Sequence, residues 1–209
     1  MSNQRRPVED FEITADLPDN PMHTTGTDHV TLIGSNAEDT IAFYRDILGM
    51  PLVLRQPNLD DPSQTHLFFD TGDGRIITFF VNDERDSDPR PKRTGIGAVH
   101  HLSFSIDPDE FVEIRETLDE EWNGYNEFDR GIFHSLYTQD NNGLVIELST
   151  DKWAIPDDKR GEVLAEAQRI REEDGADFAE ERHIEQALDE LAINPERFDL
   201  PDAPTGSGV

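Results

Sequence analysis

Cysteine is absent from the 209-residue chain, and lysine occurs only at Lys92, Lys152 and Lys159. Without cysteine the chain has no disulfides, thiolate metal ligands or cysteine nucleophiles, so a protein-bound metal must rest on His, Asp or Glu. No apolar run approaches the roughly 20 residues of a membrane-spanning helix. Arg5 and Arg6 are followed by acidic sequence and not by the apolar core of a signal peptide. We therefore expect a cytoplasmic protein that does not enter a membrane.

Positive charge is also scarce, because 18 Lys and Arg face 46 Asp and Glu, for a formal net charge of −28. The acidic residues are spread along the whole chain. Such a charge repels phosphate backbones and anionic lipid headgroups, which argues against nucleic acid and membrane surfaces as partners. An acid-rich, lysine-poor composition is typical of a cytoplasm with very high salt and indicates a halophilic source. An acidic interaction surface is the alternative, although it would normally confine the charge to one patch or tail.

An internal repeat organises the middle of the chain. The stretch DHVTL at 28–32 aligns with HHLSF at 100–104, and both alternate between polar and apolar residues as half-buried strands do. Each stretch is followed by an amphipathic helical segment and then by three short strand-like runs. The order is βαβββ in both halves, and two such modules must pair to bury their apolar surface. The sequence therefore predicts an α+β fold in which two paired βαβββ modules form a curved mixed sheet around a metal-binding cup.

The flanking sequence differs from the repeat in composition and predicts four regions along the chain. They are an N-terminal arm at 1–25, the two-module domain at 26–151 (modules 26–84 and 97–151), a helical C-terminal extension at 152–200, and a flexible tail at 201–209.

Alternation along the strands selects the candidate metal ligands. His29 and His101 occupy equivalent positions of the repeat, on the side opposite the apolar residues, and should face the cup. Glu147 interrupts an apolar strand, where a carboxylate is costly unless it is paired or bound to metal. Two imidazoles and one carboxylate favour Fe(II), with Mn(II) as second choice. The equivalent position of the first half is Thr78, a poor ligand, so we expect three protein ligands.

From 27 to 151 the chain resembles the vicinal oxygen chelate superfamily, which includes glyoxalases, fosfomycin-resistance enzymes and extradiol ring-cleaving dioxygenases. Within that range, Tyr137 precedes Glu147 by ten residues, as in extradiol dioxygenases. The likeness is closest to hydroquinone-type enzymes, which carry an Arg, a Tyr and a His beside the second metal-ligating His. These features fall here on Arg130, Tyr137 and His100, while Asp28 stands where those enzymes have a histidine before the first ligand.

The resemblance implies an Fe(II)-dependent dioxygenase that opens a catechol or hydroquinone-like ring with O2. It implies that His101 is a ligand and that His100 is its neighbour, which either supports the ligand from outside the metal's coordination or lies in the substrate pocket. Arg130 would stabilise negative charge, Tyr137 would hydrogen-bond or protonate the reacting oxygen, and His100 or Asp28 would accept the substrate proton. The hydroquinone-type enzymes are usually longer, with four modules where this chain shows two.

Three alternatives remain open within the same resemblance. A fosfomycin-type transferase also uses two His and one Glu, and Thr31 matches its threonine two residues after the first His. A glyoxalase typically uses four protein ligands, and Thr78 argues against that. A metal-free binding module of the bleomycin-resistance kind would need no metal at all. The metal content of the purified protein would separate the module from the enzymes, and the sequence leaves open whether the chain forms a homo-oligomer.

Overall fold

The computed structural model describes residues 7–92 and 95–203, and these contain both predicted modules. Eight strands form two four-stranded sheets, with strand orders β1-β4-β3-β2 and β5-β8-β7-β6. The α+β prediction and the βαβββ order of each module are confirmed. The strands are β1 His29–Ile33, β2 Leu52–Pro57, β3 Thr65–Asp70, β4 Ile76–Val81, β5 His101–Ser105, β6 Asn126–Asp129, β7 Phe133–Gln139 and β8 Val145–Asp151, and the α-helices are α1 Ala37–Ile41, α2 Phe111–Glu121, α3 Asp157–Glu173 and α4 Glu181–Glu190.

The crossover helices begin at side-chain caps that the sequence supplies. Asn36 Oδ1 accepts the backbone N–H of Asp39 at 2.8 Å at the start of α1. Asp107 does the same for Asp109 at 2.9 Å, ahead of a short 3₁₀ turn that leads into α2. From 42 to 47 the first helix widens into a π-helix, where the apolar spacing predicts a continuous α-helix. Both helices are therefore placed as predicted, but the first changes its winding halfway along.

The register of the parallel strand pairs aligns the two modules. Thr31 of β1 lies opposite Thr78 of β4, and Ser103 of β5 lies opposite Glu147 of β8. Thr78 and Glu147 therefore occupy the same position of their respective ladders. The predicted alignment of the repeat is correct, and so is the prediction that the two modules differ at this position.

Buried contacts join the two modules through the first helix and the turn between β7 and β8. The hydroxyl of Tyr44 donates to Asp140 Oδ2 at 3.0 Å, and burial raises the pKa of both side chains. In the same region, Asn141 Nδ2 donates to Ser35 Oγ at 3.0 Å. Gly143, in the left-handed region with φ +75°, ends the turn where an added Cβ would overlap the carbonyl oxygen of Arg90.

The described residues divide into two compact units. One comprises 23–92, 95–128 and 135–150, which hold most of the two modules, and the other comprises 7–22, 129–134 and 151–203. In the second unit α3 and α4 share an apolar core that includes Val163, Ile170 and Ile184. Both helices lie within the range 152–200 that the sequence assigns to a helical extension.

His183 shows where local sequence misleads. Its polar neighbours predict a solvated side chain, but it is 0 % exposed, and its Nδ1 accepts the backbone N–H of Glu180 at 2.8 Å as part of the cap of α4. The prediction of a solvated His183 is therefore wrong.

The described residues of the predicted N-terminal arm carry little regular structure. In the predicted N-terminal arm, the described residues 7–25 are exposed and contain only a 3₁₀ turn at Val8–Asp10. Most of the predicted tail at 201–209 lies outside the described residues. No helix in the described part of the chain combines the length and apolar character needed to cross a bilayer.

Candidate metal centre

Two of the three predicted ligands lie together on neighbouring strands of the second module. His101 begins β5 and Glu147 lies at the centre of β8, and His101 Nε2 is 3.0 Å from Glu147 Oε2. Glu147 is only 4 % exposed. Two donors that each lie about 2.1 Å from one ion, at right angles, are themselves separated by about 3 Å. The pair therefore has the spacing of adjacent ligands of a single metal ion.

Each of these donors is held by a further side chain. The hydroxyl of Tyr137, on β7, donates to Glu147 Oε1 at 2.6 Å. His101 Nδ1 lies 2.9 Å from His100 Nδ1, so one of the two nitrogens must donate and the other accept. A metal on His101 Nε2 would leave its Nδ1 protonated, so His101 would donate to His100. Such outer contacts are typical of metal-binding His and Glu residues.

The third predicted ligand lies apart from this pair. His29, at the start of β1, has a side chain that is 55 % exposed, and its Nδ1 lies 2.6 Å from Asp28 Oδ1. The aspartate favours a proton on Nδ1 and leaves the Nε2 lone pair free. No group of three or more His, Asp or Glu side chains in the described ranges 7–92 and 95–203 is close enough to hold a metal. The described residues therefore bring two of the three predicted donors together, His101 and Glu147.

On the first module, polar side chains form a chain of hydrogen bonds beside His29. The hydroxyl of Thr78 donates to Thr31 Oγ1 at 2.9 Å, so it accepts from His66 Nε2, which is also at 2.9 Å. Partial burial, and secondarily the charge of His29, lower the pKa of His66. Thr78 is fully buried with both bonding directions used. Its hydroxyl is thus engaged in protein hydrogen bonds.

The two modules present different side chains around these polar groups. In the first module the ring of His66 lies 4.0 Å from the ring of Phe68 and 4.4 Å from that of Phe80, all three partly exposed. In the second module Ser103 and Ser149 accompany the donor pair on the same side of the sheet. The two faces therefore differ in the residues that surround their polar groups, with Phe68 and Phe80 on the first and Ser103, Ser149 and Tyr137 on the second.

A cavity of about 370 Å³ lies beside Tyr137. It is bounded by 123–126, 137–139 and Val145, the strand neighbour of His101, but neither His101 nor Glu147 lines it. Its volume falls within the range of small-molecule sites, roughly 300 to 1,000 Å³. Tyr137 is therefore the residue that this cavity shares with the cluster around the donor pair.

Arg130 belongs to the other unit, together with 129–134 and 151–203, and not to the unit that holds the remaining predicted site residues. A cavity of about 520 Å³ within that unit contains Lys152 and His134, both buried. Lys152 Nζ lies 2.6 Å from Asp129 Oδ2 and 2.8 Å from Glu181 Oε2, so carboxylates of the same unit already pair its charge. Sequence patterns gave no sign of this cavity, because its residues come from distant parts of the chain.

Paired βαβββ modules with His and Glu donors on adjacent strands define a class of small metal-site domains. Residues 26–148 match the family model of the Glyoxalase/Bleomycin resistance protein/Dioxygenase superfamily, and the chain belongs to that superfamily. The resemblance stated from the sequence is confirmed at this level.

Curated relatives within the superfamily point to two chemistries. The chain is 31 % identical over 128 residues to MhqA of Bacillus subtilis, named as a presumed ring-cleaving dioxygenase, a match that covers 60 % of this chain and 40 % of that relative. It is 30 % identical over 128 residues to the metallothiol transferase FosB of Staphylococcus haemolyticus, covering 60 % of this chain and 83 % of the relative. The match thus spans less than half of the first relative and most of the second.

Solved structures agree on the fold. A glyoxalase/dioxygenase from Nostoc punctiforme superposes with a TM-score of 0.53 at 23 % identity, over 66 % of this chain and 99 % of that one. A presumed dioxygenase from Bacillus subtilis superposes with a TM-score of 0.52 at 24 % identity, over 64 % of this chain and 45 % of that one.

Proposed function

We propose that the protein is an Fe(II)-dependent dioxygenase of the extradiol type, which cleaves the ring of a catechol or hydroquinone-like diol with O2. The observation that carries the proposal is the cluster of four side chains in the second module. His101 Nε2 faces Glu147 Oε2 at 3.0 Å, while Tyr137 and His100 hold the far side of each donor. The likeness to MhqA supports a ring-cleaving reaction.

The side chains fit a divalent metal in part. His101 and Glu147 would supply two cis donors, and a divalent iron bound there would supply the one-electron chemistry that O2 needs to react with a diol. Mn(II) is the second choice. His29 would be the third donor, since Asp28 orients it through Nδ1. Among the described residues His29 lies apart from the pair, on the edge strand β1.

The remaining polar groups would have different roles in proton transfer, one as a donor and one as an acceptor. If His100 accepts from His101, its only proton is on Nε2, so it donates to a substrate oxygen and does not take a proton. Asp28, with a side chain 96 % exposed, is then the better acceptor of the substrate proton.

The test is O2 uptake by protein purified without oxygen and loaded with Fe(II) in molar KCl. Catechol, hydroquinone and gentisate would be supplied in turn, with metal-free protein as the control. We expect O2 consumption to match loss of one of these diols, and only in the loaded protein. Stoichiometric iron without O2 uptake on any diol would contradict the proposal.

A metal-dependent thiol transferase is the second candidate, because the match to FosB covers most of that protein. The same His and Glu donors would serve it. Incubating the Mn(II)-loaded protein with a thiol and fosfomycin distinguishes the two, since a transferase consumes the thiol without O2. Loss of thiol with no diol-dependent O2 uptake would favour this candidate over the dioxygenase.

A further inference from the structure

We infer that Tyr137 is a positioning residue that holds Glu147 as a one-oxygen ligand, and this inference rests on the proposed metal site. The two oxygens of the Glu147 carboxylate have different surroundings. Oε1 accepts the Tyr137 hydroxyl at 2.6 Å, whereas Oε2 faces His101 Nε2 at 3.0 Å. Oε2 is therefore the oxygen that lies beside the second candidate donor, and Oε1 is the one that Tyr137 holds.

The bond to Glu147 uses the proton that a catalytic role would need. A phenol has one O–H, and donation to a carboxylate is short and strong compared with donation to a neutral acceptor. Tyr137 is 7 % exposed and Glu147 is 4 % exposed, so water competes little for either group. The hydroxyl is therefore committed to the ligand before any substrate enters the cavity.

The ring of Tyr137 is fixed as well as its hydroxyl. It lies edge-on to the ring of His101, with centroids 6.1 Å apart and planes at 84°. On another side it meets Phe128, also at 6.1 Å. Tyr137 thus contacts both donors of the pair, His101 through the ring and Glu147 through the hydroxyl, and it sets their relative placement.

The consequence concerns how many positions the carboxylate takes. A carboxylate with both oxygens free can bind a metal through one or both. With Oε1 held by Tyr137, Glu147 would present Oε2 to an ion bound beside His101. Without the hydroxyl, the carboxylate would be free to turn, which would weaken metal binding at this pair.

The chain supplies a matched control in the same unit. Tyr44 donates to Asp140 Oδ2 at 3.0 Å, and both side chains are buried. This is also a buried tyrosine–carboxylate bond, but neither member is among the candidate ligands. Tyr44→Phe and Tyr137→Phe therefore remove the same kind of bond at different distances from the metal site.

The experiment measures Mn(II) dissociation constants by chelator competition, and the visible spectrum of bound Co(II), in wild type and both variants. We expect Tyr137→Phe to weaken Mn(II) binding by about 10- to 100-fold, as is typical when an outer partner of a ligand is lost, and Tyr44→Phe to leave it within about twofold. The Co(II) spectrum should change only in Tyr137→Phe. Both variants should melt at a lower temperature, because each leaves a buried carboxylate one bond short.

Two results would overturn the inference. Unchanged Mn(II) affinity and Co(II) spectrum in Tyr137→Phe, with diol turnover lost, would mean that the hydroxyl acts on the substrate. If Tyr44→Phe weakened Mn(II) binding as much as Tyr137→Phe, the loss would come from general destabilisation of the fold and not from the bond to Glu147. Failure of the wild type to bind either metal is a separate result, which removes the metal site and the proposed function together.

Discussion

At the scale of the residue, the adjacent histidines His100 and His101 have separable tasks. His101 Nε2 lies beside Glu147 Oε2, whereas His100 Nδ1 contacts Nδ1 of His101. One is placed to bind the metal and the other to orient the ligand. The same division applies to Glu147 and Tyr137, so each candidate donor of the second module has a partner that is not itself a ligand.

Substitutions at these histidines should separate the two tasks. We expect His101→Ala to abolish stoichiometric metal binding, because one donor would remain in the second module. His100→Ala should bind metal stoichiometrically at saturation, but about 10-fold more weakly. Metal analysis after dialysis and a Mn(II) titration measure both. The exposed His23 supplies the control, since His23→Ala should bind metal like the wild type. Metal loss in His100→Ala but not in His101→Ala would reverse the assignment of the two histidines.

The candidate site was predictable from sequence only where local rules decide it. Alternation along a strand is local, so the faces of His101 and Glu147 follow from their positions. The distance from His29 to that pair depends on how two modules meet, which no local pattern fixes. The burial of His183 likewise depends on packing of α3 against α4, which its charged neighbours do not reveal.

At the scale of the element, the turn between β7 and β8 holds the candidate site together. Tyr137 and Glu147 stand on the strands that it joins, and Gly143 ends it in the left-handed region. The neighbouring Asp140 accepts the backbone N–H groups of Asn142 and Leu144, both at 2.8 Å. The βαβββ succession and the turn glycine were predictable, because strand alternation and Asn-Gly turns are local features of the sequence. The pairing order of the strands within each sheet and the π-helix at 42–47 were not, since pairing depends on the tertiary fold and the apolar spacing at 42–47 also suits an α-helix.

Substituting Gly143 should therefore lower the free energy of unfolding by more than the backbone strain of a left-handed residue alone. Gly143→Ala adds a Cβ against the backbone of Arg90, whereas Gly74→Ala, at a similar φ of +78°, meets nothing within 4 Å. A left-handed alanine costs about 1–2 kcal/mol, which Gly74→Ala should show in urea unfolding. We expect a clearly larger loss of the free energy of unfolding in Gly143→Ala, because backbone must move. Equal losses would mean that Arg90 shifts freely.

At the scale of the whole molecule, acidic groups outnumber the cations that could pair with them. Arg169 illustrates this, because its guanidinium lies within ion-pair distance of Glu166, Glu173 and Glu190. With 46 Asp and Glu against 18 Lys and Arg, the net charge is −28, so repulsion between carboxylates outweighs attraction to cations over the molecule. Repulsion among them depends on the salt of the medium.

Thermal stability should accordingly fall on desalting. The screening length grows from about 3 Å at 1 M salt to about 10 Å at 0.1 M, so repulsion between surface carboxylates strengthens. Melting curves in 0.1 M and 2 M KCl would show the shift, and sucrose at matched osmolality serves as the uncharged control. An unchanged Tm, or full rescue by sucrose, would contradict an electrostatic origin and with it the halophile interpretation.

The shared ladder position of Thr78 and Glu147 also affects the orientation in which a ligand can bind. Two identical modules would be related by a twofold axis, and a molecule bound by both could lie in two equivalent orientations. This chain breaks that symmetry, since a carboxylate and serines on one module correspond to a threonine and aromatic rings on the other. The orientations then differ in energy, so an unsymmetrical ring would bind one way round and open at one bond. We expect a single regioisomer from each diol that the protein accepts, and a mixture of isomers by chromatography would count against that selectivity.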